Sequence, residues 1–198
     1  MTDIVADLRA ALDRPGAASS DFDLNPVSQR PEPGALREAG VLIAVSLTGR
    51  QPEVVLTKRA SGLMHHPGQI AFPGGKVEPD DADVTAAALR EAREEIGLPE
   101  DMPEVLGAMP SHETVTGFRV TPVLAVLREG FDIRPDPLEV EEVFFTPLAH
   151  VIDPANYLVE SRRWRGARRH YYTVPYGPYY IWGATARMLR ALAARMQQ

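Results

Sequence analysis

The sequence contains no cysteine, which excludes disulfide staples, zinc–thiolate centres and thiol nucleophiles. It also lacks any apolar run approaching the ~20 residues that span a bilayer. Its first segment, Met1–Arg14, carries Asp3, Asp7 and Asp13 where a secretory leader would be basic. No membrane partner is therefore expected, and a cytoplasmic location is. Net positive charge is missing too. The formal charge is -6, so a surface built to coat nucleic acid, which draws its affinity from Lys and Arg meeting phosphates, is not expected. A local basic pocket for a small anion remains open inside an acidic chain.

What is present suits one compact unit. With 198 residues, 44% of them hydrophobic, the chain can bury one substantial core and is short for two. Ile4, Val5, Leu8, Ala11 and Leu12 recur at helical spacing after Thr2, a suitable N-cap, until Pro15-Gly16 ends the pattern. Residues 17–34 hold Pro26, Pro31 and Pro33 among Ser and Asp and read as an extended connector. This gives an N-terminal helix and connector over 1–36 and a catalytic domain over 37–198.

From Gly40 the pattern changes to strands. Val41–Leu47 and Val54–Lys58 read as a hairpin, and Val105–Met109, Val120–Leu127, Val143–Phe145 and Tyr171–Val174 as further strands. Asp83–Ile96 reads as a helix with Ala88, Leu89, Ala92 and Ile96 on one face and Gly97 as its stop, and Ala184–Met196 as a closing helix. Strands mixed with a few helices, without βαβ alternation, predict an α+β fold with a mixed sheet and helices on its faces.

The chemistry concentrates in Gly74-Gly75-Lys76 and in Arg90-Glu91-Ala92-Arg93-Glu94-Glu95-Ile96-Gly97-Leu98. On a helix Glu91 lies i,i+3 and i,i+4 from Glu94 and Glu95, and the three are expected to project away from the apolar stripe. Like charges at that spacing cost roughly 0.2–0.5 kcal/mol per pair, which a hard divalent cation offsets. Arg90 can orient a carboxylate through a bidentate pair, and the glycines allow close backbone approach. Taken without its loop, Glu94-Glu95 reads as a solvated helix face.

In that order these residues resemble the Nudix box: a glycine, a loop acid, then Arg-Glu-apolar-x-Glu-Glu-x-Gly-apolar. The interval from Gly75 to Arg90 is one residue longer than the usual box, and the loop acid is Asp81. Leu56-Thr57-Lys58-Arg59-Ala60 with Gly68-Gln69-Ile70-Ala71-Phe72-Pro73-Gly74-Gly75 resembles the segment preceding the box in the coenzyme A pyrophosphatase branch, which shares the longer loop. Thr116–Pro122 and Ile181–Ala186 are similar to that branch as well, and Met64 stands where its signature has Arg.

The resemblance implies an α/β/α sandwich with the metal site on the helix after the glycine loop. It also implies Mg²⁺ or Mn²⁺ as cofactor and hydrolysis of coenzyme A or acyl-CoA to 3′-phosphoadenosine 5′-phosphate and (acyl-)phosphopantetheine. Glu91, Glu95, Glu94 and the Gly75 carbonyl are the expected metal ligands. Glu94, Arg90 and a late acid, Glu139 chosen over Glu141 and Glu142, are the expected catalytic groups. Arg59, Lys58, Gly74, Gly75 and Phe118 are the expected substrate contacts. Adjacent His65 and His66 read as loop residues, and Trp182, Tyr176, Tyr179 and Tyr180 as packing. NADH or ADP-ribose as substrate, and a non-catalytic nucleotide sensor, are the alternatives. The intact Arg90, Glu91, Glu94 and Glu95 speak against the sensor. The partner expected is a small nucleotide, with homodimerisation through the N-terminal extension left open.

Overall fold

The computed structural model describes residues 3–25, 36–164 and 166–197. The chain opens with α1 (Ile4–Asp13), and its N-cap is Asp3, whose carboxylate accepts Val5 N–H at 3.1 Å. Thr2, expected as the cap, lies outside the described residues, as do residues 26–35 of the expected connector. Part of that connector forms β1 (Ser19–Ser20). Then follow β2 (Arg37–Ser46), β3 (Glu53–Arg59), β4 (Ile70–Ala71), β5 (Gly74–Lys76) and α2 (Val84–Ile96). After these come β6 (Glu104–Ala108), β7 (His112–Glu113), β8 (Phe118–Leu127), β9 (Val140–Pro147) and the short α3 (Leu148–Val151). A hairpin of β10 (Leu158–Trp164) and β11 (Ala167–Thr173) leads to α4 (Gly183–Met196).

The sheet is mixed, as expected. At its centre β2 runs parallel to β8, in register from Arg37↔Phe118 to Ser46↔Leu127, while β3, β5, β6 and β9 join antiparallel. Alternation along β2 sends Ile43 and Val45 to one face and Leu42 and Ala44 to the other. The first face packs on Leu8 of α1 and Leu189 and Leu192 of α4; the second packs on Ala88, Ala92 and Ile96 of α2. Each such buried Leu or Ile contributes about 1.5–3 kcal/mol. Helices thus cover both faces, giving the α/β/α layering that was expected. No helix among the described residues is long and apolar enough to cross a membrane.

The strand β2 starts at Arg37, and the segment before it packs into the same body. Arg195 of α4, only 6% exposed, donates from Nη1 to the carbonyls of Ala11 (3.0 Å), Leu12 (3.3 Å) and Arg14 (2.7 Å), which α1 leaves unpaired at its end. The strand β1 pairs with β7. Beyond it, Asn25 donates to the His170 carbonyl and accepts the His170 N–H, at 2.9 and 2.8 Å, so the N-terminal strap is fastened to the β10–β11 hairpin.

Candidate active site

The helix α2 begins at Asp83, whose carboxylate accepts the N–H groups of Thr85 and Ala86 at 2.8 Å each. It ends at Gly97 in the left-handed conformation, φ 76°. Its apolar stripe faces the sheet, and the three acids of the box, expected to project away from that stripe, differ in burial. The side chain of Glu94 is exposed, Glu91 is partly buried, and Glu95 is only 4% exposed. The cause is β5. Paired with β2 through Gly40↔Gly75 and Val41↔Gly74, it lies across the edge of the helix stripe and covers Glu95. Gly74, at φ 150°, donates its N–H to Glu95 Oε2 at 3.1 Å, and a Cβ on Gly75 would collide with the Glu91 carboxyl.

Burial pushes the Glu95 carboxyl up to about 8, opposed by the Gly74 N–H and by Arg59 and reinforced by the charges of Glu91 and Glu139. Burial raises Glu91 as well, with the Arg90 guanidinium opposing it. Arg90 organises the rest of the box. It binds Asp81 through two nitrogens at 2.9 and 3.0 Å and reaches Glu91 at 3.1 Å, Glu94 at 3.0 Å and the Lys76 carbonyl at 3.2 Å. Asp81, held low by that pairing and by the Glu78 N–H, is thus the anchor that locks the long loop to Arg90.

The late acids separate by partner. Glu141 pairs with Lys58 at 2.6 Å, and Glu142 accepts the Tyr179 hydroxyl at 2.6 Å. Glu139, tied through its carbonyl to Ala60 N–H at the end of β3, is the one whose charge raises both Glu91 and Glu95. Among the described residues no three of these acids close into a ready-made metal cage, and the Arg90 guanidinium bridges Glu91 and Glu94. The donor set still fits a hard cation. A buried carboxyl that burial keeps protonated, crowded by two further acids beside a glycine backbone, gains most from a divalent ion supplying oxygen-seeking charge.

Gly74 is also the junction to a cavity of about 300 Å³. Arg59, Gln69, Trp182 and Thr185 line it, together with Arg162 and Tyr171 from the hairpin. Of the expected substrate contacts, Arg59 and Gly74 line it, whereas Lys58 is occupied by Glu141 and Phe118 lies outside the lining. The Phe118 ring is instead covered by the Arg37 guanidinium, 4.0 Å from its centroid. Two residues read as background belong to the cavity wall: His66, at φ 55°, and Trp182, which Tyr171 meets edge-on at 5.0 Å. Tyr179, by contrast, does pack, stacking on Phe144 at 3.6 Å. The signal that was available for the hairpin is the basic run Arg162–His170 in an otherwise acidic chain.

Comparison with known proteins matches residues 36–165 to a family described as NUDIX domain. A protein of Enterobacter sp. (strain 638) described as "Uncharacterized Nudix hydrolase NudL" is 40% identical over 160 residues, covering 81% of this chain and 83% of the relative. Its namesake in Salmonella newport (strain SL254) is 42% identical over 160 residues, with the same coverage. Among solved structures, a C. elegans Ap4A hydrolase in a binary complex superposes with a TM-score of 0.50 at 21% identity, over 58% of this chain and 83% of that one, which supports the fold.

Proposed function

The chain belongs to the Nudix hydrolase family, and from that premise we propose that it cleaves the diphosphate of coenzyme A or an acyl-CoA, yielding 3′-phosphoadenosine 5′-phosphate and (acyl-)phosphopantetheine. The general chemistry, hydrolysis of a nucleoside diphosphate derivative, comes with the family. One observation carries the narrower reading. The three segments that resemble the coenzyme A branch, around Arg59–Gly75, Thr116–Val120 and Trp182–Thr185, all contribute to the wall of the same cavity, although they are far apart in sequence.

In this reading Glu91, Glu95, Glu94 and the Gly75 carbonyl would hold Mg²⁺ or Mn²⁺, which would supply the charge to neutralise the diphosphate and to acidify a water. Arg90 keeps Glu91 and Glu94 in place while its grip on Asp81 fixes the loop. Gly74 N–H holds Glu95 in the orientation in which, once deprotonated, it presents an oxygen to the site. Glu94 or Glu139, both solvent-reached, accepts the proton of the attacking water. Arg59, in the field of Glu95 and on the cavity wall, meets substrate phosphate.

The test is a panel of initial rates for coenzyme A, acetyl-CoA, NADH and ADP-ribose with Mg²⁺ and with Mn²⁺. The reading expects kcat/KM for a coenzyme A compound at least tenfold above the other two. NADH or ADP-ribose leading the panel would retain the family chemistry and reject the coenzyme A assignment.

A further inference from the structure

The β10–β11 hairpin sets like charges face to face. Its register places Arg162 opposite Arg169, and both line the cavity. Direct like-charge pairs across strands are destabilising, a cost that an anion bound at Arg162 would lessen. Arg162 is held with its guanidinium 4.1 Å from the Trp182 ring centroid and 6.0 Å from that of Tyr171. Stacking of that kind fixes the guanidinium plane while leaving its in-plane N–H donors available for a bidentate acceptor.

Arg59 enters the same cavity from the end of β3. Neither Arg59 nor Arg162 takes part in the ion pairs found among the described residues. His66 lines the same cavity, its imidazole lowered by burial and then by the Arg59 charge, with Arg162 adding to the effect. The carboxylate on the wall, Asp21, is already engaged by His112 Nε2 at 3.2 Å and by Val115 N–H at 2.9 Å. The cavity therefore holds two guanidinium groups outside those ion pairs: Arg59, which lies in the field of Glu95, and Arg162, which enters from the hairpin.

We propose that Arg162, stacked on Trp182 and sharing the cavity with Arg59, binds a second phosphoryl group of the substrate, a phosphate monoester separate from the scissile diphosphate. The hairpin thereby selects nucleoside diphosphates that carry such a group. This deepens the coenzyme A reading and rests on it, since that substrate bears a 3′-phosphate. It also provides a cation on a different element from Met64, the position at which the branch signature has Arg and which here is 91% exposed.

The experiment has two arms. In the first, calorimetry without added metal compares binding of 3′-phosphoadenosine 5′-phosphate and adenosine 5′-monophosphate to wild type, Arg162→Gln and Arg162→Lys. A charged hydrogen-bonded contact of this type corresponds to about 10- to 100-fold in affinity. Wild type should therefore prefer the bisphosphate by at least tenfold, Arg162→Gln should bring the ratio close to one, and Arg162→Lys should fall between. In the second arm, kcat/KM for coenzyme A over that for 3′-dephospho-coenzyme A should collapse in the same order. A wild-type binding ratio near one, an unchanged ratio in Arg162→Gln, or an equal loss for both ligands overturns the proposal. Failure to hydrolyse either coenzyme A compound rejects the substrate reading alone, because the binding ratio still decides the subsite.

Discussion

Glu95 offers a perturbation whose sign depends on conditions. In the metal-free protein its carboxyl is pushed up to about 8 from an ordinary 4.5, chiefly by burial. The native state thus binds this proton more tightly than the unfolded chain does. Stability contributed here is present at low pH and is lost as pH rises from about 4.5 to about 8, after which the loss is complete. The full displacement corresponds to an upper bound of about 5 kcal/mol; water entry and relaxation reduce it, and about 2–3 kcal/mol is expected. Glu95→Gln keeps an acceptor for Gly74 N–H and removes the titration. Without metal at pH 8 the variant should therefore be the more stable protein, by ~5–10 °C at roughly 2–4 °C per kcal/mol for a chain of this size, and the gap should shrink at pH 5. Saturating Mg²⁺ or Mn²⁺ should raise wild type at pH 8 and leave the variant nearly unmoved. Urea unfolding from pH 5 to 8.5, in chelator and in metal, measures all four cases. Parallel pH profiles for the two proteins in chelator, or a variant less stable than wild type at pH 8, would refute the reasoning.

Three further substitutions probe other parts of the site. Gly75→Ala places a methyl group where the Glu91 carboxyl now packs and should lower kcat more than 100-fold while circular dichroism shows the fold retained; near-normal kcat would show that Glu91 has no fixed place. Arg90→Lys cannot span Asp81, Glu91, Glu94 and the Lys76 carbonyl at once, so kcat should fall at least tenfold and amide exchange at residues 77–83 should accelerate. Unchanged exchange there would contradict the anchoring role given to Asp81. Arg195→Ala leaves the carbonyls at the end of α1 without their buried donor and should cost about 2–3 kcal/mol in urea unfolding, with α1 losing exchange protection first; a cost below about 0.5 kcal/mol would mean the strap is held by other contacts.

The sequence made legible whatever is encoded locally. The helix from Asp83 to Gly97 carries both of its caps in its own letters, and β2 and β8 show the apolar runs of central strands. The Nudix order of glycine loop and acids was visible for the same reason. What was not legible depends on contacts between distant segments. Glu95 is buried where the three-residue β5 packs on its helix, and so short a strand has no alternation to read. The late acids Glu139, Glu141 and Glu142 are adjacent in sequence and are separated by Lys58 and Tyr179, which arrive from elsewhere. The hairpin was read only in part, as Tyr171–Val174, because Glu, Ser and Arg fill the middle of β10 (Glu160, Ser161, Arg162, Arg163) and leave no period of two with an apolar face. With it went Arg162 and the cavity role of Trp182. The strap of residues 19–25, read as linker, is fixed by Asn25 and by Ser19, whose hydroxyl meets His112 Nδ1 at 2.9 Å.

The most direct test of the central claim is product analysis by mass spectrometry after incubating wild type and Glu95→Gln with coenzyme A and Mg²⁺ in ¹⁸O-labelled water. The account predicts 3′-phosphoadenosine 5′-phosphate and phosphopantetheine from wild type, with one label carried by one of the two, and neither product above background from the variant. Intact coenzyme A after incubation with wild type, or cleavage at any bond other than the diphosphate, would contradict it.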